Sequence, residues 1–167
     1  MGSPAEDLLL ELQEQEATAA TAESLTGGKL AARITAVPGA SRSFAGGVVS
    51  YQTEIKQRVL KVSDEIVDEH GVVSAECALA MAEGVRRLLG TTYGVSTTGV
   101  AGPGPQEGKP VGTVFIGVAG PDGSEAHELA LDGDRFMIQE STVDRAVSAL
   151  RAMIGSAGRQ PEEPALR

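Results

Sequence analysis

Tryptophan is absent, and two tyrosines and three phenylalanines are the whole aromatic content of the 167 residues. The core must therefore be built from Ala, Val, Leu and Ile, with close backbone approaches at some of the 21 glycines, a composition that suits an α/β protein. The single cysteine, Cys77, excludes an internal disulfide and a multi-cysteine zinc site, and makes a reducing cytoplasm the expected setting. Basic residues are scarce. With 14 Lys and Arg against 23 Asp and Glu, the formal charge of -9 argues against a general binder of nucleic acid or anionic membrane, because both need clustered cations. No window approaches the roughly 18–20 apolar residues of a membrane span, and MGSPAEDLLLELQ lacks the basic start and cleavage site of a signal peptide. Without an H-E-x-x-H pattern or a carboxylate–histidine cluster, neither a metal nor a cofactor is expected.

What is present, 41% hydrophobic residues, suffices for one sizeable core, so residues 1–155 are expected to fold as a single domain. The polar, proline-containing SAGRQPEEPALR, 156–167, reads as a disordered tail. Residues 5–15 place leucines on one side of an opening helix. ATAATAES reads as a first strand, and TGGKLAARITAV as a helix spaced by Leu30, Ile34 and Val37 and stopped by Pro38-Gly39. AGGVVSYQ is a second strand, followed by short helices at TEIKQRVLKV and in VSDEIVDEHG, the latter closed by Gly71. Ser74 is a plausible N-cap for SAECALAMAEGVRRLLG, within which Cys77 reads as core. TYGVSTTG is a third strand, GTVFIGVAG and SEAHELAL form a hairpin about PDG, and a last helix runs from about Asp134 to Ile154. Helical segments between the first three strands and a hairpin only at the end imply a mixed sheet covered by helices on both faces.

In such sheets ligands sit beyond the carboxyl ends of the strands. Three loops fall there: SLTGG, SYQTEIK and TTGVAGPGPQEGKPVG. In SLTGG, Ser24 or Thr26 could cap the following helix by accepting a backbone N–H. The same turn could instead expose a serine nucleophile beside amides aimed at an oxyanion. It is not a G-x-S-x-G elbow, since Ala22 and Glu23 stand upstream. A nucleophile needs a base, and neither His70 nor His127 has an obvious Asp partner. Lys56, in Tyr51-Gln-Thr-Glu-Ile-Lys56, falls at the same sheet edge and could act if burial kept its amine neutral; a solvated surface lysine is the alternative. GVAGPGP lacks the G-x-G-x-x-G spacing and is followed by a strand, so a dinucleotide loop is not supported.

Together TAESLTGG, PGASRSF, VSYQTEIK, HGVVS, TTGVAGPG, KPVGTVFIG and GDR occur in the order of one family. Over residues 5–155 the chain resembles the C-terminal domain of the competence/damage-inducible CinA proteins, which also exists as a stand-alone nicotinamide-nucleotide amidase. The resemblance implies a three-layer α/β/α sandwich around a five-stranded mixed sheet, with a C-terminal β-hairpin and a closing helix. It implies hydrolysis of nicotinamide mononucleotide to nicotinate mononucleotide and ammonia, in pyridine-nucleotide salvage, by a serine/lysine pair. By position that pair is Ser24 and Lys56, with Tyr51 orienting the lysine and Thr26, Gly27 and Gly28 offering amides to the oxyanion. Thr98, Gly99, Gly102, Lys109 and Arg135 become candidates for ribose and phosphate, and Ser41 the reserve nucleophile. A homo-oligomer, dimer or larger, is also implied, with the apolar helix 74–89 as a possible contact.

Three departures keep a second class open, a non-hydrolytic member that binds a nucleotide or a protein in a competence or DNA-damage response. Leu25 stands where many members carry cysteine, GPQEG is one residue short without the usual Gly-Gly, and Gln139 occupies the region of a common second arginine.

Overall fold

The computed structural model describes residues 2–159. Helices α1 (Pro4–Glu14), α2 (Lys29–Thr35), α3 (Thr53–Leu60), α4 (Asp64–His70), α5 (Ala75–Leu89) and α6 (Arg135–Ala157) surround strands β1 (Ala19–Glu23), β2 (Phe44–Val49), β3 (Tyr93–Gly99), β4 (Thr113–Gly120) and β5 (Gly123–Ala130). The five-stranded sheet has the order β2-β1-β3-β4-β5. β1 is parallel to β2 and β3, while β4 runs antiparallel to β3 and β5 to β4. This is the expected mixed sheet with its hairpin.

Alternation along β1 divides the core. Ala19 joins Leu8, Leu12, Leu30, Ile138 and Leu150 under α1, α2 and α6. Ala20 and Ala22 face the other way, with Leu60, Cys77, Met81 and Val85 under α3 and α5. Successive strand residues point to opposite faces, so each buried strand feeds two cores. Each large buried side chain contributes roughly 1.5–3 kcal/mol of transfer free energy.

Glycine sets how closely α5 approaches the sheet. A Cβ on Gly94 would lie 2.2 Å from the Ala82 carbonyl oxygen, and one on Gly117 2.2 Å from that of Ala78. Ser74 does cap α5, accepting the Cys77 N–H at 3.1 Å. The apolar face of α5 is spent inside the fold, with Cys77, Ala78, Met81, Ala82 and Val85 all buried, so only Leu88 and Leu89 at its end stay exposed. The helix 74–89 is therefore not the free apolar surface its sequence suggests. α6 begins at an Asp134 N-cap as expected and runs through Ala157, so the first two residues of the expected tail are helical. Residues 160–167 lie outside the described residues. None of the described helices is long and apolar enough to cross a membrane.

Candidate active site

Because β1, β2 and β3 are parallel, the segments after Glu23, Val49 and Gly99 emerge on one edge of the sheet. β5 ends at that edge too, its Ala130 opposite the first residue of β4, which delivers Arg135 at the start of α6. Between these segments lies a cavity of about 260 Å³ whose walls include Ser24, Tyr51, Lys56, Val72, Thr98 and Arg135.

Lys56 occupies the second turn of α3 and is only 1% exposed, which rules out the solvated-lysine reading. Its Nζ lies 2.9 Å from Ser24 Oγ, 2.7 Å from the Ser50 carbonyl oxygen and 3.3 Å from the Tyr51 carbonyl oxygen. No carboxylate forms an ion pair with it among the described residues. Burial holds its amine below the ordinary lysine range, against opposing pulls from Cys77 and Glu107. Both carbonyls can only accept. A neutral Nζ therefore spends its two hydrogens on Ser50 and Tyr51 and turns its lone pair toward the Ser24 hydroxyl. Cys77, also close to Lys56, is a core thiol that burial pushes up to about 11.

The turn carrying Ser24 is held by a residue that sequence reasoning used only to exclude an elbow motif. Glu23 is 1% exposed. Its Oε1 accepts from Thr26 Oγ1 at 2.7 Å, Gly28 N at 3.2 Å and Leu30 N at 2.8 Å, and its Oε2 from Ala31 N at 3.1 Å. Glu23 thus satisfies the first amides of α2, a task expected of Ser24 or Thr26. The N-cap position is Gly28, in the left-handed region at φ 103°, without a side-chain cap. Neither hydroxyl caps the helix, because the carboxylate reaches those amides first. Thr26 instead bonds Glu23 and Thr97 Oγ1, the latter at 2.8 Å.

The same bonds revise the oxyanion donors. Gly27 N–H is spent on the Ser24 carbonyl at 3.1 Å, Gly28 N–H on Glu23, and Ser24 N–H on the Thr97 carbonyl at 3.0 Å. Among the described residues the amides of Leu25 and Thr26 have no such partner. Of the three amides expected, only that of Thr26 stays free, and Leu25 joins it. Gln139, the departure noted in α6, lies outside the cavity wall and donates from Nε2 to the Leu25 carbonyl at 2.8 Å. It pins the Leu25–Thr26 peptide, the second after the serine.

Tyr51 takes part in a way the sequence did not suggest. Its backbone carbonyl meets Lys56, while its phenol, on a 57% exposed side chain, accepts from Arg135 Nη2 at 2.7 Å. Arg135 also donates from Nη1 to the Gly102 carbonyl at 2.7 Å, and no carboxylate pairs with it among the described residues. Gly99 and Gly102 line the cavity, but Lys109 does not, its Nζ being bound to the Val73 carbonyl. The Thr98 hydroxyl lines the cavity but donates to the Val72 carbonyl at 2.6 Å. Ser41 is at the other end of the sheet, exposed before β2 beside Pro38 and Phe44, because a parallel strand carries its preceding residues away from the edge its following loop reaches. It is too remote to replace Ser24.

Fold and site define the class first: a three-layer α/β/α domain with a buried lysine against a serine on a strand-to-helix turn. The chain belongs to the CinA C-terminal domain family, which it matches over residues 2–154. It is 53% identical over 143 residues to a CinA-like protein of Frankia casuarinae, covering 86% of this chain and 33% of the relative. With a putative competence-damage inducible protein of a Geobacillus species it shares 46% identity over 147 residues, 87% of this chain and 35% of the relative. The chain thus spans about a third of the length of these relatives. Among solved structures, a CinA superfamily protein of Klebsiella pneumoniae superposes with a TM-score of 0.87 at 30% identity, covering 93% of this chain and 99% of the other. One from Escherichia coli gives 0.88 at 26% identity, covering 90% and 88%.

Proposed function

We propose that this chain is an amidohydrolase that converts nicotinamide mononucleotide to nicotinate mononucleotide and ammonia. The observation that carries the reading is the placement of Lys56 Nζ between two acceptor carbonyls and Ser24 Oγ. Neutral Lys56 takes the Ser24 proton as Oγ attacks the carboxamide carbon. The resulting oxyanion is assigned to the Leu25 amide, whose residue lines the cavity, with the buried Thr26 amide behind it, both without another partner among the described residues. As the tetrahedral intermediate collapses, the C–N bond breaks and the Lys56 ammonium gives its proton to departing ammonia. An acyl ester is left on Ser24. Water, losing a proton to Lys56, attacks that ester; the proton passes to Ser24 Oγ as the ester C–O bond breaks, and the carboxylic acid released ionises, its proton taken up by ammonia.

Arg135 is the cation for the substrate phosphate, since its present acceptors, a carbonyl and a phenol, are neutral and leave its charge uncompensated by them. Lys109 and the Thr98 hydroxyl, both spent on backbone carbonyls, drop out as phosphate donors. Gln139 touches the serine turn and not the cavity, so its presence in place of an arginine does not remove a phosphate contact in this chain.

The test is ammonia release from nicotinamide mononucleotide, nicotinamide riboside and simple amides by the wild type, Ser24→Ala and Lys56→Ala. Release from the mononucleotide that both substitutions abolish is the expected result. Release from none of the amides by the wild type would favour the non-hydrolytic binder.

A further inference from the structure

The shortened GPQEG segment holds a carboxylate that this reaction leaves unused. Glu107, in the left-handed region at φ 53°, turns back toward the segment between α4 and α5. Its Oε1 accepts from Val72 N at 3.0 Å and its Oε2 from Val73 N at 3.1 Å. The carbonyls of the same two residues are taken by Thr98 Oγ1 and Lys109 Nζ. All four backbone polar groups of Val72-Val73 are therefore held by β3 and the loop that follows it. Gly71 admits the carboxylate, since a Cβ there would lie 2.3 Å from Glu107 Oε2. Val72 and Val73 line the same cavity as Lys56, and Gly104, Pro105 and Gln106 line it from the loop this clamp fastens.

We propose that Glu107 is a positioning residue for Lys56: seated on the Val72 and Val73 amides, it locks the β3–β4 loop onto the cavity wall and fixes a negative charge opposite the lysine. This rests on reading Ser24 and Lys56 as a reacting pair, but not on the identity of the substrate. When Lys56 accepts the serine proton it becomes an ammonium with no carboxylate in contact, so a carboxylate held at a distance stabilises the developing charge without quenching the base beforehand. The Glu107 charge pulls upward on Lys56, against the larger lowering by burial, and adds to the upward push of burial on Cys77.

The ionisable and charged groups around Lys56 are few. α5 contributes Cys77, and the β3–β4 loop contributes Glu107, with Lys109 turned to Val73. β1 contributes Glu23, occupied by α2 amides, and at the mouth stand the Tyr51 phenol and Arg135, bonded to each other. Glu107 is the carboxylate of this set whose charge bears on Lys56.

The test needs no substrate. The ¹³Cε resonance of Lys56 is titrated in the wild type and in Glu107→Gln, Ser24 is labelled with a fluorophosphonate across the same pH range, and amide exchange is followed at Val72 and Val73. In Glu107→Gln the Lys56 midpoint and the rising limb of Ser24 labelling should both move to lower pH. Exchange at one of the two amides should quicken by about tenfold, as expected for loss of one buried acceptor. Faster exchange with an unmoved Lys56 midpoint would leave Glu107 a structural clamp only and overturn the proposal. If Glu107→Gln does not fold, the wild-type Glu107 ¹³Cδ resonance decides: an inflection at the Lys56 midpoint supports the coupling, and its absence overturns it. A shifted Lys56 midpoint with no labelling at Ser24 would instead remove the dyad and leave Glu107 coupled to the lysine.

Discussion

Replacing Glu23 tests whether its carboxylate holds the turn that carries Ser24. Four donors converge on its carboxylate, and their losses are unequal. The Thr26 hydroxyl can turn to Thr97 Oγ1, already 2.8 Å away, so Glu23→Ala does not orphan it. Gly28 and Ala31 are half-buried, and water can reach their amides at a cost of about 1 kcal/mol each. Leu30 is fully buried, and its stranded N–H costs about 2–3 kcal/mol. Glu23→Ala should therefore destabilise the fold by roughly 4–5 kcal/mol, before any cavity contribution. Glu23→Gln separates the acceptor role from bulk. Its amide oxygen can replace Oε1 and keep three donors, while its NH₂ faces Ala31 N–H, so only about 1–2 kcal/mol is lost. Urea denaturation of the two variants, compared by midpoint at constant slope, measures both numbers. Equal losses below about 1 kcal/mol for the two would refute the account, since the carboxylate would then be holding nothing.

Four further outcomes follow from the same geometry. Ser24→Ala and Lys56→Met should each abolish the ammonia release proposed above, about 10³-fold or more, while far-ultraviolet circular dichroism stays native. The pH dependence has a definite sign. Lys56 binds its proton less tightly folded than unfolded, so between the folded value and the ordinary lysine value the unfolded chain holds more protons and stability rises with pH. Turnover should climb through the same folded value as the base is freed, and Lys56→Met should lose that part of the stability slope in urea titrations at several pH values. Gly47→Ala should cost roughly 1–3 kcal/mol, because its Cβ would fall 2.2 Å from Thr21 Oγ1, a buried hydroxyl without a hydrogen-bond partner among the described residues. Adding Thr21→Ala should recover most of that loss in a double-mutant cycle. Finally, Arg135→Leu should raise KM for nicotinamide mononucleotide with little effect on a simple amide, whereas Tyr51→Phe, which removes only the bond to Arg135, should change either by less than about tenfold.

Much of the fold is legible in local pattern. Alternation and small-residue runs placed all five strands, and Pro38-Gly39, Gly71 and the Ser74 cap placed helix ends, because these signals act within one turn of chain. The site is legible only in part. Ser24, Tyr51, Lys56, Thr98, Gly99, Gly102 and Arg135 meet in one cavity, as expected from loops following three parallel strands. Glu23 escaped notice although an acid at a strand end, just before a helix, is within reach of that helix's free amides. Glu107 left no local signal, since its partners Val72 and Val73 lie 34 or more residues away.

By itself the amino-acid sequence determined the element order, the two-sided sheet and the edge where chemistry could gather, because hydrophobic period and turn residues act locally and parallel strands send their loops one way. Only the tertiary structure decided what each polar group does there. Burial between two carbonyls lowers the affinity of Lys56 for its proton and sets its amine against Ser24 Oγ, while the neighbouring Glu23 carboxylate, not a hydroxyl, takes the helix amides. Ser41 was separated from Ser24 by strand direction, and Gln139 was placed on the Leu25 carbonyl by the packing of α6 over the turn. Burial and acceptor geometry are properties of assembled elements, so no segment read alone could have contained them.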